Sequence, residues 1–367
     1  MTKNKFKLLG LFLLCSCASN FEEEKTRLLT KNDHKDLVTS FEISKEEAKN
    51  YKENTETSPL KVTPPIAVAD GMTKKNKKES KKAKKIKKVA EKVMEKVEIL
   101  TPKAAETDSY PVDFPANFKA YDIKSKPIWE NYRSHFYQGE QSILAISYLG
   151  VVAGYITVTA QNIVKMGDKD TFHYTARFKS RDAYRYFYWL DDSLETFIEK
   201  STYLPIKYSL VQREKKQNVD DLQLFDFKKL KTLNWYKRVK EGANKDVKEE
   251  HYIPRYVQDS FSALQFTRGL PLVKGDTYDF PVVTRGEAWL LKVEVMGEEE
   301  ISVHDLDVKA IRVKAETHFP GVLQKSGDIN FWYAADDARR LLKFQAKVKL
   351  GSIYGELVDY KAGMLVK

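Results

Sequence analysis

Residues 141–159 read QSILAISYLGVVAGYITVT. The first eight are rich in β-branched and aromatic side chains and have the length of one strand. Gly150 and Gly154 bracket a turn, and Tyr155-Ile156-Thr157-Val158-Thr159 alternates as the returning strand. The same texture continues downstream at 171–178, 197–200, 206–213, 222–227 and 235–239. It resumes at 277–283, 288–296, 301–304, 309–315, 328–333, 341–350 and 352–358. Between these groups, Asp259-Ser260-Phe261-Ser262-Ala263-Leu264-Gln265-Phe266 breaks the pattern. Its apolar spacing is helical, and Asp or Ser is available to cap it. Many sequential strands with one short helix predict an all-β, mainly antiparallel domain over 110–367. Its sheet is either strongly curved or an open β-barrel.

The chain begins with a different kind of signal. Lys3, Lys5 and Lys7 precede an apolar run, 8–14, that is too short to span a bilayer. Leu14-Cys15-Ser16-Cys17 follows and resembles the lipobox of a bacterial lipoprotein. Cys17 fits as the lipidated residue because it follows small Ser16, whereas Cys15 follows bulky Leu14. An ordinary secretory signal is the plainer alternative. Removal of a 1–16 signal peptide would discard Cys15 and leave Cys17 carrying lipid, so the mature chain would hold no thiol nucleophile and no disulfide. The expected location is the cell envelope. Ala18 and Ser19 lack the Asp that marks inner-membrane retention in some bacteria, which points to the outer membrane, facing the periplasm.

Residues 17–108 are strongly charged, hold no Trp and lack long apolar periodicity, so they read as a disordered tether. Ser44-Lys45-Glu46-Glu47 is a weak capping box inside it. Much of the formal charge of +11 sits in 74–96, where twelve Lys face Glu79, Glu91 and Glu95. Its lysines, among them Lys77, Lys78, Lys81, Lys82, Lys84, Lys85, Lys87 and Lys88, either form a solvated spacer or contact an anionic envelope polymer. Nucleic acid is not expected, since export removes that target and no aromatics interleave with the lysines.

The stretch Gly327-Asp328-Ile329-Asn330-Phe331-Trp332-Tyr333-Ala334-Ala335-Asp336-Asp337-Ala338-Arg339-Arg340, with 347–357 after it, resembles the C-terminal signature of the DUF3108 family of bacterial envelope proteins. Residues 148–154 resemble that family's opening hairpin. Asp259 to Leu264, then Gly269-Leu270-Pro271-Leu272 and Gly275, resemble its central helix and turn. The likeness covers about 130–360. It implies a fold similar to the open, curved barrels of periplasmic lipoprotein carriers, and it brings no catalytic residues.

No metalloprotease, P-loop, nucleophile-elbow or paired-cysteine motif occurs. The domain's histidines are scattered, and Asp191-Asp192 and Asp336-Asp337 read as turn formers. No enzyme activity, cofactor or metal is expected. The aromatic run Tyr184, Tyr186, Phe187, Tyr188, Trp189 reads as a strand with tyrosines on one face, either core and surface or the rim of a cavity. Nineteen Phe and twenty Tyr exceed what one thin sheet layer buries. The expected cavity is therefore apolar and partly open, with Tyr188, Trp189, Phe261, Phe266 and Trp332 as its candidate lining and the 259–266 helix as its plug or lid. The expectation is a membrane-anchored, non-enzymatic envelope protein that binds an apolar ligand, such as a lipid, or a partner protein. The alternative is a structural or assembly factor with a filled core.

Overall fold

Along residues 289–297, Trp289, Leu291, Val293 and Val295 are buried while Leu290, Lys292, Glu294 and Met296 are not. This period of two puts one face of a strand against a core and the other toward water. Repeated along the chain, it builds almost the whole domain. The computed structural model describes residues 109–184, 189–318, 329–348 and 351–366. The expected leader with Cys17, the expected tether and its lysine segment lie outside the described residues.

In chain order the elements are α1 (Ala116–Glu130), β1 (Tyr137–Gln138), β2 (Gln141–Tyr148), β3 (Val151–Ala160), β4 (Val164–Met166), β5 (Lys169–Ser180), β6 (Asp191–Glu199), β7 (Pro205–Glu214), β8 (Gln217–Asp226), β9 (Lys231–Lys240) and β10 (Lys245–Tyr252). Then come β11 (Gln258–Asp259), α2 (Ser262–Gly269), β12 (Thr277–Thr284), β13 (Glu287–Val303), β14 (Leu306–His318), β15 (Ile329–Ala334), β16 (Leu341–Lys347), β17 (Ser352–Lys361) and β18 (Met364–Leu365). One sheet runs β10-β9-β8-β7-β6-β5-β3-β2-β17-β16-β15-β14-β13-β12-β11, with β4 on β5. Only the β11–β12 pairing in it is parallel. β1 and β18 pair separately.

The sheet curls because its two halves share one core. Phe172, Leu194, Tyr208 and Phe225 of β5–β8 pack with Phe261 and with Val283 of β12. Short β11 comes to lie against β7. Thr196 Oγ1 on β6 donates to the Asp259 carboxylate on β11 at 2.5 Å. The far edge thus returns to the middle of the sheet, and the concave face closes around α1 and α2. The fold is the expected mainly antiparallel, barrel-like sheet.

Several local expectations are corrected. A second helix, α1, joins the one placed from sequence. It buries Asp122, Ser125 and Trp129, a mostly polar inward set, so no apolar stripe announces it. The Asp122 carboxylate accepts the backbone N–H groups of Arg255 (2.7 Å) and Tyr256 (3.4 Å), docking the helix by hydrogen bonds. Asp191 and Asp192 open strand β6 and are not a turn. Gly154 lies inside β3, with the hairpin turn at Leu149 and Gly150, both at positive φ. Tyr184 ends a 3-10 turn, Asp182–Tyr184, in place of the expected strand; residues 185–188 lie outside the described set. The two strands expected at 288–296 and 301–304 are one, β13, because a bulge between Val295 and Gly297 absorbs the glycine. Strand β10 was not expected. Its sequence, KDVKEEHY, is the charged, exposed kind that protects a sheet edge.

Candidate functional site

The concave face is the place where a ligand would sit, and α2 is set into it by its own sequence. Asp259 Oδ1 accepts the N–H groups of Phe261 and Ser262, each at 2.8 Å, and Ser262 Oγ accepts the Asp259 N–H at 2.9 Å. These bonds satisfy donors that a helix start leaves open. Asp259 is fully buried, and burial raises its pKa above the usual carboxylate range. From this start, α2 carries Phe266 inward.

Phe266 meets a packed aromatic group. Its ring stacks on Tyr132 at 4.2 Å between centroids and lies 4.4 Å from Trp129, while Phe280 meets it edge-on at 5.3 Å. Tyr132 contacts Tyr203 at 4.6 Å, and Phe136 stacks on Phe172 at 4.5 Å. Between these rings a cavity of about 10 Å³ remains, lined by Tyr132, Ser134, Phe172, Tyr174, Tyr203 and Phe266 among others. That space is at the lower limit for one water molecule. An acyl chain would enter only if side chains moved.

The C-terminal end of α2 is latched. Arg268 donates to Glu140 through two nitrogens, at 2.6 and 2.8 Å, and to the Ala338 carbonyl at 2.8 and 2.5 Å. Tyr360 donates its hydroxyl to Glu140 at 2.7 Å. Both ionic side chains are 7% exposed. Burial works against the Arg268 charge, but the bonds to Glu140 outweigh it and raise its pKa. Arg339 donates to the carbonyls of Leu270 (2.5 Å) and Arg268 (3.1 Å), satisfying acceptors at the helix end. At Gly269 a Cβ would lie 2.4 Å from the Arg133 carbonyl and 2.5 Å from the Tyr132 ring, so only glycine fits. One latch thus ties α2 to the start of β2, the β15–β16 turn and β17.

The expected lining is not one constellation. Phe261 and Phe266 face the interior, in two adjoining clusters. Tyr333 reaches inward, its hydroxyl donating to the Leu264 carbonyl at 3.4 Å. Trp332, next to it on β15, lies on the opposite face and donates to Glu299 at 2.6 Å. Trp189 is half-buried where the chain enters β6. Tyr188, Cys17 and the eight named lysines are outside the described residues. The turn expected at Asp336-Asp337 is present, with Asp336 Oδ1 accepting the Arg339 N–H at 2.8 Å.

Buried carboxyls were not legible in the sequence. Asp192 is completely buried, and burial, reinforced by Glu214, pushes its pKa up to about 9. Burial pushes Glu214 up to about 6 and Asp221 to about 7. An Asp-Asp pair between apolar runs carries no mark of such burial. His173 is also buried, 2.8 Å from Glu195 and stacked on Phe197 at 4.1 Å. Among the described residues no three His, Cys, Asp or Glu side chains gather as metal ligands would.

The model of the family described as "Protein of unknown function (DUF3108)" matches residues 132–358. The chain belongs to the DUF3108 family. The match takes in α2, Glu140, Arg268, Ala338 and Arg339 of the latch, and both halves of the curled sheet; Tyr360 lies just beyond it. The stretches that carry the family likeness, 259–275 and 327–340, are distant in sequence and meet in space at Arg268–Ala338 and Arg339–Leu270. Among solved structures, the chain is similar to a beta-barrel-like protein of the DUF1849 family from Brucella abortus. That likeness has a TM-score of 0.41 and 11% identity over 61% of this chain and 97% of the other. No curated protein matches the chain.

Proposed function

We propose that this DUF3108 protein is a non-enzymatic protein of the cell envelope, anchored by lipid on Cys17 at the outer membrane and facing the periplasm. Its domain acts as a structural or assembly factor: it works through its surface, against a partner protein, and not through an internal ligand. The filled interior carries this reading. Phe266, Tyr132, Trp129 and Phe280 pack together where a carrier would keep its cargo, and the cavity beside Tyr132 and Phe266 is about 10 Å³. The lysines of 74–96 give the same protein a second, non-directional hold on anionic polymer.

A second reading has a specific observation in its favour. α2 is a short plug whose Phe266 is surrounded by aromatic rings, so an apolar ligand that displaced it would meet an apolar lining. Native mass spectrometry of protein purified from envelopes, followed by solvent extraction, separates the two. The structural reading expects the bare mass. Stoichiometric lipid in the extract would replace it with the carrier reading. A Phe266→Ala variant tested with an environment-sensitive fatty-acid probe then reports whether the lining accepts a chain once the plug side chain is removed.

A further inference from the structure

The cavity beside Phe266 lies among aromatic rings, yet much of its wall can form hydrogen bonds. Gln258, Gln265, Ser134, Tyr132, Tyr174 and Tyr203 line it, together with apolar Phe172, Ile198 and Phe266. A core that needed only volume could use phenylalanine at all three tyrosine positions. Burial, and then Tyr174 and Tyr203 beside it, raise the Tyr132 pKa well above the ordinary phenol value. Burial raises those of Tyr174 and Tyr203 as well. All three rings therefore stay protonated, and each hydroxyl can both donate and accept.

Gln258 opens the short strand β11 and is completely buried. Its Nε2 donates to the Tyr203 carbonyl at 2.8 Å. That carbonyl only accepts, so the nitrogen and not the oxygen of the amide must face it. Oε1 is left over, and among the described residues no donor reaches it. A buried amide oxygen without a donor is costly, and an apolar side chain of the same size would avoid the cost. The wall of the cavity thus holds a fixed acceptor that lacks a donor, beside three hydroxyls that can take either role. The space of about 10 Å³ admits one group the size of a water molecule.

We propose that this cavity is a binding site for a single hydroxyl group, which donates to Gln258 Oε1 and shares hydrogen bonds with the tyrosine hydroxyls. One water molecule fits it with the interior closed. A larger molecule that displaced Phe266 would place an alcohol or phenol group there and lay its apolar part against Trp129 and Phe280, the rings that Phe266 now meets. The first occupant is compatible with the structural reading above. The second rests on the carrier reading and narrows its ligand to an amphiphile with a hydroxyl head.

Magnetic relaxation dispersion of water nuclei counts the long-lived internal waters of the full chain. Gln258→Leu should hold one fewer than the wild type, and an unchanged count would overturn the proposal. Phenol and toluene, rings of the same size with and without a hydroxyl, then probe the site enlarged by Phe266→Ala. Adding Gln258→Leu to that variant should weaken phenol relative to toluene by about tenfold, the equivalent of one net hydrogen bond; an unchanged ratio would overturn the proposal. The water count decides alone where Phe266→Ala does not fold or binds neither probe. Solvent extraction of protein purified from envelopes separates the two sources. A bare protein assigns the site to water, a stoichiometric lipid with a free hydroxyl assigns it to an amphiphile, and both support the proposal. A stoichiometric lipid with no hydroxyl or N–H donor would overturn it and leave the carrier reading standing.

Discussion

Arg268→Met tests the latch that holds the interior closed. The substitution keeps a flexible apolar stem of similar length and removes the guanidinium. It deletes the two bonds to Glu140 and the two to the Ala338 carbonyl. Glu140, itself buried, is left with Tyr360 as its remaining hydroxyl donor. Breaking a buried ion pair from one side costs about 3–5 kcal/mol, because the other charge stays buried without its counterion. Domains have about 5–15 kcal/mol in total, so the loss is a large share of stability. Glu140→Leu alone should cost a similar amount. The double variant removes both charges and leaves only the Ala338 carbonyl and the Tyr360 hydroxyl short of partners, about 1–3 kcal/mol. The two single costs must therefore fail to add, with a coupling of about 2 kcal/mol or more. Guanidinium unfolding followed by tryptophan fluorescence measures all four proteins, and hydrogen exchange in α2 shows whether the plug loosens first. If Arg268→Met costs less than about 1 kcal/mol, or if the double variant costs the sum of the singles, the buried-pair argument is wrong.

Four further outcomes are expected. Asp192 is protonated in the folded chain and ionised in the unfolded chain between about pH 4 and its folded value of about 9, so stability falls as pH rises through that window. Asp192→Asn should then stabilise the protein by a few kcal/mol at the alkaline end, at about 1.4 kcal/mol per displaced pKa unit, and by almost nothing near pH 3; a pH-independent effect in thermal unfolding would refute this. Gly154→Ala should destabilise by about 1–3 kcal/mol, because the new Cβ would lie 2.4 Å from the Lys179 carbonyl oxygen of the neighbouring strand, and wild-type-like unfolding would contradict that. Cys17→Ala should abolish metabolic labelling by fatty acid, and label retained by the variant would remove the anchor assignment. A Lys→Gln series across 74–96 should weaken retention on anionic vesicles or sacculi gradually and in a salt-dependent manner, whereas unchanged pull-down would leave only a spacer.

The sequence alone determined the class of fold and most of the strands. Period-two burial in an antiparallel sheet is a local property, so Gln141–Tyr148 and residues 206–213 could be read directly from side-chain type. The start of α2 was equally legible, since Asp259 caps with its own backbone neighbours. What stayed hidden depended on partners far along the chain. α1 packs through Asp122 and Ser125, and its polar inward face resembles solvent-facing sequence until Arg255 and Tyr256 come into reach. Asp192 reads as a turn residue until β5 and β7 close over it on either side. Whether the aromatic inventory encloses a hollow or a solid core is a matter of side-chain interlock, and composition cannot distinguish the two. What tertiary structure supplied is the packing itself, Phe266 stacked on Tyr132 and Arg268 brought to Glu140 across 128 residues of chain.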